Sequence, residues 1–197
     1  MARWWRWLLR AGLVCGALAL GGPAPAGAAG PWRGTVVDAE TGQPVEGVVV
    51  LAVWTKRSPG VIHARLEFYD AEEAVTDAAG RFTLAARSTT PRNPFVRIEG
   101  PRLTMFKGGY GRHLFRGELQ WPRPELSIRT DDAWKRFETT GVEFELWPVK
   151  TVEERRRALP REPSEVPDCR MARLLRAIDE ELMYLGMNST GRGKECQ

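Results

Sequence analysis

The sequence is poor in lysine, histidine and cysteine. Of 29 basic side chains among 197 residues only five are lysine, and there are two histidines (His63, His113) and three cysteines (Cys15, Cys169, Cys196). Three cysteines exclude a disulfide-dense miniature scaffold. Two histidines fall short of the three or so protein ligands that a hydrolytic zinc site takes. The spacings H-E-x-x-H, G-x-S-x-G and the phosphate-cradling P-loop are absent. No apolar run reaches the ~20 residues of a membrane span, and there is no internal repeat or low-complexity tract. What is present is ordinary for a globular chain, 43% hydrophobic and 27% charged, so disorder throughout is excluded.

The N-terminus reads as an export segment. Arg3, Arg6 and Arg10 precede the apolar run Ala11 to Leu20, and small residues follow, with Ala26-Gly27-Ala28 matching the A-x-A cleavage rule. The expected signal peptide is 1–28, cut after Ala28. Cys15 has Val14 and Gly12 where a lipidated cysteine wants a small residue and a leucine, so no membrane anchor is expected after cleavage. Cleavage removes three arginines and no acid, which takes the formal charge from +4 to +1. The sequence pI of about 9.2 is therefore largely a property of the leader. Alanine, proline, glycine and arginine in place of lysine suit a GC-rich bacterial genome, so the expected location is periplasmic or secreted.

The mature chain shows strands first. Residues 32–38 and 46–54 are rich in β-branched side chains and are separated by ETGQP, in which Gly42 can take a positive φ; they read as a hairpin. Val48 to Val53 is apolar on both faces, the mark of a strand covered above and below. Residues 61–69 alternate, with Ile62, Ala64, Leu66 and Phe68 on one side. Residues 73–77 and 81–85 are expected to pair across a turn built on Asp77 and Gly80, with Phe82 and Leu84 facing the core. Further strands are expected at 94–99, 102–106, 125–130 and 141–147. Short strands between frequent turns predict an all-β sandwich of seven to nine strands, transthyretin-like or immunoglobulin-like.

After Pro148 the pattern changes. Residues 151–164 read as a charged, proline-containing connector with about one helical turn. Met171, Leu174, Leu175, Ile178, Leu182 and Leu185 then recur at helical spacing, predicting an amphipathic helix over 165–185, with Ser164 as N-cap and Gly186 as C-cap, long enough to lie along one flank of the sandwich. Residues 186–197 read as a flexible tail.

The segments GTVVDAETGQPVEGVVV (34–50), VTDAAGRFTL (75–84) and KGGY (107–110) resemble the carboxypeptidase regulatory-like domain, a transthyretin-like β-sandwich. The resemblance covers residues 31–150. It departs from the family at Gly108, where the family's K-P-G-Y motif has proline. Members of that family are accessory modules on enzymes, receptors and surface proteins, so the resemblance implies a fold and leaves the role open. A carboxypeptidase catalytic domain would need a length of chain that residues 151–197 do not supply.

Candidate chemistry is thin. His63 and His113, joined by Glu67, are the only basis for a small metal-dependent hydrolase; His63 falls on the polar face of a strand and His113 in a glycine-rich loop, so no metal, cofactor or catalytic residue is expected. Cys169 and Cys196 are expected to form a disulfide, the alternatives being two free thiols or a redox-active pair. Arg155, Arg156 and Arg157, with Arg170, Arg173 and Arg176 on the helix, lie beside Glu153, Glu154, Asp179, Glu180 and Glu181, which favours a salt-bridged surface over nucleic-acid binding. Trp54, Tyr69, Tyr110, Phe115, Trp121 and Trp134 could stack on sugars or complete the core. Asn188-Ser189-Thr190 matches a glycosylation sequon, taken as chance in a bacterial chain. The expected role is a non-catalytic binding or structural module of the cell envelope, acting through loops such as 55–62 and 107–118. Its partner would be an envelope protein or a polysaccharide, with a carbohydrate-binding module as the alternative.

Overall fold

One strand with two apolar faces organises the molecule. The structure, a computed structural model, describes residues 28–60, 63–91, 93–117, 130–194 and 196. All of the expected signal peptide except Ala28 lies outside them, as do residues 125–129 of the strand expected at 125–130. The strands are β1 (Ala28–Ala29), β2 (Trp32–Asp38), β3 (Val49–Ser58), β4 (Arg65–Val75), β5 (Arg81–Leu84), β6 (Arg87–Ser88), β7 (Arg97–Phe106), β8 (Tyr110–Phe115) and β9 (Val142–Pro148). The helices are α1 (Thr130–Thr139), α2 (Val152–Ala158) and α3 (Ala172–Tyr184), the last entered through a 3₁₀ turn at Asp168–Met171.

Two sheets carry the fold: β4-β3-β7, all antiparallel, and β5-β2-β9-β8, in which β2 and β9 run parallel. A two-stranded piece, β1-β6, stands beside them. Val50, Ala52 and Trp54 of β3 face a core shared with Trp32, Val36, Phe82, Leu84, Phe144 and Leu146 of the other sheet. The alternate residues Val49, Leu51 and Val53 face a second core, roofed by Leu174, Leu175, Ile178 and Leu182 of α3. Each such side chain, fully buried, contributes about 1.5–3 kcal/mol. The continuous apolar run at 48–53 thus has the two covered faces expected of it, and the C-terminal helix docks as the sequence implied.

The strand pairing differs from expectation in three places. Residues 32–38 and 46–54 form no hairpin, because β2 and β3 belong to different sheets and only the single bridge Val37 to Pro44 joins the two limbs of the turn. The turn is as tight as expected, with the Gly42 N–H donating to the Asp38 carbonyl at 2.8 Å and Gly42 at φ +70°. Beyond it the buried Thr76 hydroxyl donates to the Val45 carbonyl at 2.7 Å and accepts from the Val48 N–H at 2.8 Å. That clasp carries the chain across to the second sheet, where β3 gains cover on both faces. Likewise 73–77 and 81–85 form the expected turn, closed by the Asp77 N–H to the Arg81 carbonyl at 3.0 Å, but no ladder beyond it: β5 pairs with β2, with the Asp77 carboxylate accepting from the Ala79 N–H at 2.9 Å and Gly80 at φ +70°. Phe82 and Leu84 are buried as expected.

Residues 65–69 of the strand expected at 61–69 and 73–75 of the one expected at 73–77 belong to one strand, β4, while residues 61 and 62 lie outside the described residues. A register shift opposite Trp54 and Thr55 inserts Tyr69 as an extra residue, which resets the alternation and makes one strand read as two. In the same way 94–99 and 102–106 merge into β7 through Gly100-Pro101, opposite a second irregularity in β3. Proline fits there because an irregular edge position asks for no ladder donor.

Helices also break the all-β expectation. Thr130, read as the end of a strand, opens α1, which carries acids in its first turn (Asp131, Asp132) and Arg136 in its last, matching the helix dipole. The connector holds the two-turn helix α2, whose capping box joins the Thr151 hydroxyl to the Glu154 N–H at 3.1 Å and the Glu154 carboxylate to the Thr151 N–H at 2.9 Å. The helix expected over 165–185 becomes regular only at Ala172, and Ser164 does not cap it. Instead the Glu73 carboxylate of β4 accepts from the Arg173 and Leu174 N–H groups at 2.9 and 2.7 Å. A capping carboxylate from the sheet ties the helix start to the surface it covers. Gly186, at φ +70°, ends α3 as expected.

The tail, expected to be flexible, is held in several places. Asp179 accepts from the Ser189 hydroxyl at 2.9 Å, the Thr190 N–H at 2.9 Å and hydroxyl at 2.8 Å, and the Gly191 N–H at 3.1 Å. Arg192 bonds Asp168 and Glu162, and Cys169 and Cys196 lie at disulfide distance, 1.96 Å between sulfurs. The backbone bond from Thr190, with its hydroxyl and Ser189, holds the Asp179 carboxyl below its ordinary pKa of 3.8. Arg192 lowers Asp168 in the same sense. A depressed carboxylate pKa stabilises fully above the unfolded value and is lost as pH falls through the folded one. Protection of the Thr190 and Gly191 amides against hydrogen exchange is therefore expected to hold at neutral pH and to be lost in acid, below the ordinary aspartate value of 3.8, ahead of the core. Protection of these amides that lasts until the core itself unfolds in acid would refute this assignment.

Candidate functional site

The structure does not bring the candidate metal ligands together. His63 is exposed just before β4, at an edge of the three-stranded sheet. His113 lies on β8 opposite Leu146, half-buried at an edge of the other sheet, and not in a loop as the glycines around it suggested. Glu67, offered as their link, is engaged by Arg65 at 3.0 Å and Lys56 at 3.6 Å. Among the described residues no three His, Cys, Asp or Glu side chains converge as a metal requires.

Most of the candidate sugar-stacking rings serve the core. Trp54 and Phe115 are buried, and Trp134 of α1 packs edge-on against Phe115 at 5.2 Å. Tyr110 donates its hydroxyl to Asp38 at 3.1 Å, which joins the KGGY segment to the Asp38 turn. Tyr69 remains 42% exposed, and Trp121 lies outside the described residues. Of the basic clusters, Arg155 pairs with Glu181, Arg157 with Glu153, and Arg170 with Asp70.

The site that does assemble is a cleft of about 490 Å³ on the outward face of the four-stranded sheet. Strand alternation and register place Arg33 and Thr35 of β2 beside Thr83 and Arg81 of β5, with Glu143 of β9 opposite Thr35. The partners on the other face of these strands, Phe82 and Phe144, anchor them in the core. Arg116, just past β8, donates its N–H to the Glu143 carbonyl at 2.9 Å. Arg136 comes from the last turn of α1, and Thr140 and Gly141 close that turn through N–H bonds to the Arg136 carbonyl at 2.9 and 2.7 Å. Gly141 has φ +95°, and a Cβ on it would lie 3.2 Å from the Arg33 carbonyl, so the helix end sits directly against β2.

Four guanidinium groups thus surround one lining carboxylate. Arg81 is held by Asp77 at 3.1 Å, and Arg116 by Glu143 at 3.0 Å and Glu145 at 3.7 Å. Among the described residues Arg33 and Arg136 make no ion pair. The Asp77 carboxyl lies below its ordinary value, chiefly through the Arg81 backbone N–H and then the Arg81 side chain. Among the described residues the lining has no histidine, cysteine, serine or lysine; its hydroxyls are those of Thr35, Thr83 and Thr140, and its carboxylate, Glu143, is engaged by Arg116. Sequence reasoning missed this site because its arginines are single residues on four separate elements. The outward positions of Arg81 and Thr83 were implied by the inward ones of Phe82 and Leu84, but their neighbours depended on the pairing of β5 with β2.

No family model, no curated protein and no solved structure matches this chain.

Proposed function

We propose that this chain is an exported, non-catalytic β-sandwich of the carboxypeptidase regulatory-like kind that binds a partner in the cell envelope, in the periplasm or outside the cell. The observation that carries the reading is the arginine-walled cleft. It gathers exposed positive charge on strands of one sheet and on the end of α1, and its one described carboxylate, Glu143, is held by Arg116. Two sheets facing each other across one core support the sandwich. The basic, apolar and small-residue order of the first 28 residues supports export, as does a cysteine pair at disulfide distance, which persists in an oxidising compartment.

Fractionation of a bacterial host expressing the full chain, with intact-mass analysis after thiol blocking, tests this. The expected result is an envelope or medium fraction starting at Ala29, with both remaining cysteines unreactive until reduced. Crosslinking in intact cells is expected to capture an envelope protein or polysaccharide. Full-length chain confined to the cytoplasm with reactive thiols would overturn the proposal.

A further inference from the structure

We infer that the arginine cleft binds an acidic polysaccharide through the carboxylates of its uronic acid units, an inference that rests on the envelope-binding reading above. The charge comes first. Arg33 and Arg136 have no ion-pair partner among the described residues, and both line the cleft where α1 ends against β2. A planar guanidinium is suited to grip a carboxylate through two parallel N–H bonds.

The uncharged part of the lining separates uronates from other anions. Thr35, Thr83 and Thr140 offer hydroxyls that donate and accept, and Glu143 offers only acceptor oxygens. A phosphate or sulfate group is nearly all acceptor and offers no donor to the Glu143 oxygens. A uronate couples one carboxylate to neighbouring sugar hydroxyls, which can donate to Glu143 and exchange bonds with the threonines. Because the cleft is an open face between β5, β2 and β9 and not an enclosed cavity, it can admit units within a chain. Among the described residues the lining has no exposed ring of the kind that neutral sugars stack on, so the affinity expected here depends on charge.

Titration calorimetry of the purified protein with polygalacturonate tests the inference, with neutral dextran, dextran sulfate, polyphosphate and poly-glutamate as further arms. Polygalacturonate is expected to bind, to weaken as salt rises, and to be preferred over the other four. Arg33→Ala and Arg136→Ala are each expected to weaken it roughly tenfold. Lysine at either position should restore less than half of that loss in binding free energy, since charge returns without the fork. Arg97→Ala, exposed on the other sheet, serves as the charge control and should leave affinity unchanged. Equal binding of sulfate, phosphate or poly-glutamate polymers, full rescue by lysine, or flat titrations would each overturn the uronate assignment. Flat titrations alongside successful envelope crosslinking would reject this ligand alone, whereas cytoplasmic retention would reject the reading beneath it.

Discussion

Arg155→Ala is expected to destabilise the protein by about 3–5 kcal/mol, far more than removal of any surface arginine. The Arg155 guanidinium meets the Glu181 carboxylate in two parallel bonds of 2.6 Å each, and the side chains are 18% and 4% exposed. Its other face stacks on Tyr184, 3.8 Å from the ring centroid. Deleting the cation leaves the carboxylate buried without a partner, and the loss of that compensation is the main effect. Replacing both partners, with Arg155→Met and Glu181→Leu, should recover most of the stability, because an apolar pair carries no desolvation penalty. Urea unfolding of the two single variants and the double variant closes the cycle. A single-variant loss below 1 kcal/mol would show that the pair behaves as an exposed one.

The same pair packs against Gly108. A Cβ there would lie 2.4 Å from Glu181 Oε2, and that oxygen is held in place by Arg155. Glycine, with no Cβ, lets the carboxylate of α3 rest against the backbone. The sequence showed the glycine, but its neighbour lies on a helix far along the chain. Partner choice was hidden in the same way at β2, β3 and β5. Turn residues such as Gly42 and Gly80 specify a reversal of direction, and that reversal looks identical locally whether the flanking strands pair or part to different sheets. Two-sided burial was legible because it is written in consecutive residues, Val48 to Val53. The cleft was not, because Arg33, Arg81, Arg116 and Arg136 each look like solvated charge until the sheet places them together.

Phe137→Ala is expected to cost about 3–5 kcal/mol. It lies on α1, the helix that sequence reading left out of the core, and it is fully buried. Ala133 and Phe137, one helical turn apart, are the pair that α1 inserts between the sheets' aromatic residues. The Phe137 ring meets Phe144 edge-on at 5.5 Å, Phe82 at 6.1 Å and Trp134 at 5.8 Å. Removing it opens a cavity bounded by rings too large to close over it. The loss should reach the cleft as well, because Arg136, Thr140 and Gly141 keep their places only while the helix end stays against β2. Denaturant midpoints and near-ultraviolet circular dichroism of Phe137→Ala and Phe137→Leu measure this, with leucine expected to retain more than half of the stability lost by alanine. A loss under 1 kcal/mol for alanine would mean that α1 is a surface appendage, and the cleft would then have one movable wall.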